Sequence, residues 1–125
     1  MRHFEISIDI QAPPATVVGV MTDVERWPDW TTTVTSVRRL DAGPLTIGSR
    51  TAIRQPRLPP AVWTVTAIDA NRGFTWITKS PGVAIAGHHI VEPTPGGCRA
   101  TLSLDFSGLI GGLVARLVRG VGRTS

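Results

Sequence analysis

Arg99-Ala100-Thr101-Leu102-Ser103-Leu104-Asp105-Phe106, followed closely by Ile110, Leu113, Val114, Leu117, Val118 and Val121, is the stretch that decides the fold. In its first part Ala100, Leu102, Leu104 and Phe106 alternate with Thr101, Ser103 and Asp105. Side chains alternate across a strand, so this part is a strand with one apolar face. In its second part the apolar period becomes helical, with Arg116, Arg119 and Arg123 away from the stripe. An amphipathic helix of roughly 16 residues, about 24 Å long, is predicted there. Gly111, Gly112, Gly120 and Gly122 each weaken it by about 1 kcal/mol relative to Ala. Such a helix must be held by packing against something apolar.

Upstream of this junction the pattern is mostly β. Phe4, Ile6, Ile8 and Ile10 alternate with His3, Glu5, Ser7 and Asp9, which predicts a first strand with one buried face. Ala12-Pro13-Pro14 ends it. Pro is tolerated in the first turn of a helix, so a short helix is predicted from Ala15 to Thr22, burying Val17, Val18 and Met21. Asp23 can cap a second short turn to Trp27, interrupted by Pro28. Five further strands are predicted at Thr33–Leu40, Ser49–Gln55, Val62–Asp69, Gly73–Lys79 and Val83–Glu92, before the strand at Arg99–Phe106. Ala70-Asn71-Arg72, Pro81-Gly82 and Pro93–Gly97 mark hairpin turns. The order is strand, two short helices, six strands, helix. Consecutive strands with short turns make an antiparallel meander. The fold class is therefore α+β, a seven-stranded curved sheet wrapped around a C-terminal helix. One helical stripe cannot fill the concave side of so wide a sheet. Bulky side chains, a ligand, or both must occupy the space.

Composition narrows the function classes. With 125 residues, residues 1–125 read as a single domain able to bury a core without disulfides. The charged fraction of 18% is low, which leaves apolar area for an internal cavity. The net charge is +4, and every basic residue except Lys79 is Arg. These charges are scattered, whereas nucleic-acid binders cluster theirs on one face, so nucleic acid is not the expected partner. Cys98 is the only cysteine, which excludes an intrachain disulfide and a Cys-based metal site. No cofactor motif stands out. No apolar run reaches the roughly 18 residues needed to span a bilayer, and the N-terminus has no apolar signal region. A cytoplasmic protein without stable membrane insertion is expected.

Several segments in fixed order carry a family resemblance. They are the strand before Ala12-Pro13-Pro14, then Asp23-Val24-Glu25-Arg26-Trp27-Pro28-Asp29-Trp30, Gln55-Pro56, Trp63-Thr64-Val65, Phe74-Thr75-Trp76, His89 with Glu92-Pro93, and the terminal helix opened by Gly108-Leu109. Together they resemble the START/Bet v 1-like (SRPBCC) superfamily, in particular small bacterial proteins of the polyketide cyclase/dehydrase type. The resemblance covers nearly the whole chain. It implies a helix-grip fold, with the terminal helix across the sheet and an apolar tunnel between them. It also implies binding of lipids, sterols, polyketides or other hydrophobic molecules, with catalysis in some members. The terminal helix here is shorter than is usual in that family. A short wall leaves the cavity open at one end, or leaves an apolar surface that a second copy could cover as a homodimer.

Individual residues carry paired interpretations. Trp63, Val65 and Ala67 are expected on one face of their strand, and Phe74, Trp76 and Thr78 on one face of the next. If those faces are concave, Trp63 and Trp76 line the pocket; otherwise they are core packing. Phe106 joins the same lining. Trp27 and Trp30 either edge the tunnel mouth or staple the short helices to the sheet. His88 and His89 point to opposite faces, and His89, sharing a face with Ile85 and Val91, is expected inward. There it is a general acid/base, a hydrogen-bond partner for a ligand oxygen, or, the plainer and favoured alternative, a histidine satisfied by a neighbour. Arg54 either binds an acidic head group from within or is a solvated strand residue, the latter favoured. Asp69 and Asp105 are expected to face solvent or pair with Arg. The two adjacent histidines lack a third metal ligand, since His3 is remote in sequence. No nucleophile–base–acid order, phosphate loop or paired carboxylate is evident.

The leading expectation is thus a non-catalytic binder or carrier of a small hydrophobic molecule, contacted by Trp30, Arg54, Trp63, Trp76, His89 and Phe106. The alternatives are a cyclase or dehydratase using His89, and a protein-interaction module such as the toxin–antitoxin components that a few members of the family resemble.

Overall fold

The computed structural model describes residues 2–108. Seven strands form one antiparallel sheet: β1 (Arg2–Ile10), β2 (Ser36–Arg39), β3 (Arg50–Arg54), β4 (Ala61–Asp69), β5 (Gly73–Ser80), β6 (Val83–Thr94) and β7 (Gly97–Ser107). Between β1 and β2 lie helix α1 (Pro14–Thr22) and a 3₁₀ helix (Val24–Asp29). The sheet order is β1-β7-β6-β5-β4-β3-β2. The two helices therefore carry the chain from one sheet edge to the other, and the meander returns until β7 lies against β1. The predicted helix over Ile110–Val121 lies outside the described residues.

Local differences from the expected elements have physical causes. Pro13 precedes α1 in extended conformation and Pro14 occupies its first turn, where a missing N–H costs nothing. Asp23 makes no side-chain cap; its carboxylate lies 3.6 Å from Arg26 Nε instead. The 3₁₀ helix runs through Pro28, and the Trp27 carbonyl accepts from Trp30 N–H at 3.1 Å and from Thr31 N–H at 3.0 Å. The expected strand over Thr33–Leu40 shrinks to the four residues of β2 at the sheet edge. β4 departs most. A bulge between Val65 and Ala67 shifts the register, so Val65 opposes Trp76 but Ala67 opposes Thr75. Trp63 and Val65 therefore share the concave face with Ile68, which opposes Phe74, while Ala67 faces outward, contrary to its simple alternation.

The core is one aromatic-rich layer on the concave face. Val24, Val34, Ile53, Trp63, Val65, Phe74 and Trp76 form its main cluster, with Met21 and Trp27 packed against it. A second cluster, Val18, Val91 and Cys98, lies beneath α1. At the opposite edge, Ile6 and Ile8 lie on the same face but remain 57% and 62% exposed, so β1 does not bury its apolar face as its pattern suggests. Among the described elements β1 packs against β7 alone.

Two glycines make the aromatic layer feasible. Gly87 opposes Trp76, and a Cβ there would meet the indole at 3.2 Å. Gly73, with φ +126°, lets the β4–β5 turn close against β6, since a Cβ would lie on the His89 carbonyl oxygen. Gly73→Ala is therefore expected to cost more than about 3 kcal/mol through left-handed strain plus a backbone clash. The urea unfolding midpoint measures this, and a midpoint within error of the parent would contradict it.

Candidate functional site

Strand alternation places the site on the concave face. β5 presents Phe74 and Trp76, β6 presents His89 beside Gly87, β4 presents Trp63 and Val65, and β3 presents Thr51 and Ile53. Across from them the 3₁₀ helix presents Trp27. The His89 imidazole stacks on Phe74, with ring centroids 4.5 Å apart and planes at 12°. Trp76 meets His89 at 5.5 Å, Phe74 at 5.0 Å and Trp63 at 5.7 Å. Trp27 closes the group at 5.3 Å from both Trp76 and His89. Its Nε1–H donates to the Met21 carbonyl at 3.0 Å, which fixes the indole over the others. Apart from the stacked His89–Phe74 pair, these are edge-to-face and tilted geometries favoured by aromatic quadrupoles.

Within this apolar layer three polar atoms have no hydrogen-bond partner among the described residues: Thr51 Oγ1, Trp63 Nε1 and His89 Nδ1. Arg39 Nε shares that condition, but the rest of its guanidinium bonds Asp41 at 3.0 Å. Thr51 is 0%, Trp63 6% and His89 8% exposed. Thr51 and Trp63 are direct cross-strand partners. A buried donor or acceptor left unpaired costs about 1–3 kcal/mol, so three on one face is a concentration of unmet polar capacity. Burial also depresses the His89 pKa to about 4, against the Phe74 backbone, which raises it. The imidazole is neutral at neutral pH. It can donate or accept one hydrogen bond at each nitrogen according to tautomer.

The structure brings together Trp63, Trp76 and His89. Phe106 is buried on the same face of β7, opposite Ile85. Trp30 sits at the rim, 58% exposed, in edge contact with Trp27 at 6.3 Å. Arg54 does not join them. It alternates with Ile53, so it lies on the outer face, exposed and paired with Ser36 at the sheet edge. The tryptophans and His89 fill their end of the concave side by packing on one another. Phe74 and Thr51 were not singled out from the sequence as site residues. Alternation of Thr51 with Ala52 and Ile53 could have placed Thr51 inward, but its lack of a partner is a three-dimensional property.

The outer face holds a constellation that the sequence hid. His3 Nδ1 lies 2.5 Å from Asp105 Oδ1, His88 Nε2 lies 3.0 Å from Asp105 Oδ2, and His88 Nδ1 lies 2.9 Å from Thr75 Oγ1. Asp105 thus pairs with two histidines rather than with Arg, and His3, remote in sequence, is brought beside it by the β1–β7 pairing. The hydrogen bond to Asp105, then that to Glu5, raises the His3 pKa, and the His3 bond foremost lowers that of Asp105. Thr75, His88 and Asp105 have the order of a hydroxyl–imidazole–carboxylate relay. They lie on the outer face of three neighbouring strands, and with His3 and Glu5 their hydrogen bonds tie β5, β6, β7 and β1 together. Among the described residues no group of His, Cys, Asp and Glu is arranged to hold a metal ion. None of the described helices is long and apolar enough to cross a membrane.

A curved seven-stranded antiparallel sheet, with two short helices after its first strand and an aromatic concave face, defines the START/Bet v 1 class, a fold that binds hydrophobic ligands. Residues 1–125 match the model of the family described as polyketide cyclase / dehydrase and lipid transport, and the chain belongs to that family. Solved structures agree on the fold. A START superfamily protein from Mycobacterium smegmatis is 11% identical, with TM-score 0.73 over 97% of this chain and 92% of its own. The ginseng major latex-like protein 151 from Panax ginseng is 16% identical, with TM-score 0.72 over 86% of this chain and 80% of its own. The di-domain ARO/CYC protein BexL is 22% identical, with TM-score 0.72 over 99% of this chain but 43% of its own. No curated protein sequence matches the chain.

The depressed His89 pKa sets the sign of an acid effect. Between about pH 6.5 and 4 the unfolded chain binds a proton at this histidine and the folded chain does not, so stability falls as pH falls through that window. The full loss is about 3 kcal/mol at roughly 1.4 kcal/mol per pH unit. His89→Leu should flatten the pH dependence of the urea midpoint in that window. An unchanged slope would show that His89 is not the group responsible.

Proposed function

We propose that the protein binds a small aromatic or polyketide-like molecule carrying oxygen substituents, held on the concave face without chemical conversion. One observation carries this: Thr51 Oγ1, Trp63 Nε1 and His89 Nδ1, each buried and without a partner among the described residues, lie on the concave face of one aromatic layer. Ligand sites are mostly apolar with a few placed polar groups, and these three have that composition. Family membership supports the ligand class. In this proposal the ligand takes the place of the Trp27 ring, which is only half-buried and sits on a short 3₁₀ helix, and Trp30 and Phe106 extend the lining. Arg54 takes no part.

Binding is favoured over cyclisation or dehydration by the state of His89. A general acid/base works best with a pKa near the working pH, and a histidine at about 4 is a poor base and is unprotonated as an acid at pH 7. Its role is a neutral hydrogen-bond partner. No observation favours a toxin–antitoxin role.

The test compares 2-naphthol with naphthalene, which differ by one hydroxyl, by isothermal titration. The parent protein should bind the naphthol about tenfold more tightly, because a buried hydrogen bond is worth about 1 kcal/mol and relieves an unpaired group. Thr51→Val should reduce that preference while stabilising the unliganded protein by about 1 kcal/mol. Equal affinity for the two probes, or no saturable binding of either, would overturn the proposal.

A further inference from the structure

Among the described residues nothing covers the β1 edge. Long edge strands present unpaired N–H and C=O groups, and natural sheets blunt them with charged side chains, Lys above all, with Pro, bulges or a covering element. β1 is nine residues long and contains neither Pro nor Lys, and its carboxylates at Glu5 and Asp9 are engaged by His3 and Arg99. Its pairing with β7 runs without a register shift from Arg2 opposite Phe106 to Ile10 opposite Cys98. Among the described elements nothing packs on its other side. Ile6 and Ile8 beside that edge are more than half exposed.

We propose that this edge pairs with the β1 edge of a second copy, antiparallel about a two-fold axis through Ile6 and perpendicular to the sheet. The two meanders then form one continuous sheet with their concave faces on the same side. The partner is identified by self-complementarity. Centred on Ile6, the strand sets Ile6 against Ile6 and Phe4 against Ile8 of the second copy on the concave face. On the outer face it sets Glu5 against Ser7 and His3 against Asp9. His3 is already biased toward its charged form by Asp105 and Glu5, and Asp9 is held as a carboxylate by Arg99 Nε at 2.9 Å. Opposite charges therefore meet twice per dimer, a favourable cross-strand arrangement. Moving the axis by one residue shortens the ladder and sets like charges opposite. Centred on Glu5 it opposes Glu5 to Glu5, and centred on Ser7 it opposes Glu5 to Asp9. The Ile6 register alone uses the whole strand and avoids both. This edge is distinct from any copy covering the open end of the cavity.

Sedimentation velocity over a dilution series, with disulfide trapping, tests this. The parent chain should be a concentration-dependent dimer. Ser7→Glu lies on the exposed outer face and sets a carboxylate against Glu5 twice per dimer, so it should weaken the dimer about tenfold with the fold intact by circular dichroism. Adding Glu5→Lys to Ser7→Glu should restore it. Directly opposed residues lie about 4.5–5.5 Å apart at Cα, within disulfide reach, so Ile6→Cys should give a covalent dimer on mild oxidation while Cys98 stays buried. A monomer at every concentration would overturn the proposal. So would a dimer indifferent to Ser7→Glu that Ile6→Cys does not trap.

Discussion

The register of β5 against β6 is the constraint on which the rest of the concave face depends. It sets Phe74 opposite His89 and Trp76 opposite Gly87. The first pairing stacks an imidazole on a phenyl ring in a dry layer, and the second gives the Trp76 indole room where any side chain would crowd it. A one-residue slip of β6 against β5 would send His89 to the outer face and bring His88 inward, opposite the aromatic rings. The burial of His89, its depressed pKa and its unpaired Nδ1 all follow from this alternation. So does the outward position of His88, which is free to meet Asp105 and Thr75.

Much of this could be read from residue order, for reasons tied to locality. Alternation in Phe4–Ile10 and Ala100–Phe106, and the turn residues at Ala70-Asn71-Arg72 and Pro81-Gly82, are local signals, and they place the strands within a few residues. The opposite facing of His88 and His89 follows from the same period of two. What escaped was non-local. The bulge at Thr66 changes which of Ala67 and Ile68 faces inward, and no turn residue marks it. The His3–Asp105–His88 cluster needs the first strand to lie against the last, which no spacing reveals. Arg54 and Thr51 share one strand, and only the sheet's curvature decides which of their faces is concave. The unpaired state of Thr51, Trp63 and His89 depends on three strands at once.

The two faces have opposite polar economies. Outside, Glu5, His3, Asp105, His88 and Thr75 satisfy one another across four strands, and their order serves structure. Inside, the polar atoms are few, buried and unsatisfied. A protein selected only for stability gains by replacing such groups with apolar ones of similar shape. Their retention within an aromatic layer is consistent with a site that trades stability for recognition of a ligand.

The most direct test of that account uses the indole N–H resonances of the four tryptophans in a two-dimensional ¹H–¹⁵N spectrum during titration with 2-naphthol. Trp63 Nε1–H is unpartnered without ligand, so the account predicts that its resonance moves downfield and saturates as it gains an acceptor, accompanied by that of Trp27 as its ring is displaced. Movement confined to the exposed Trp30, or no saturable movement, would contradict it.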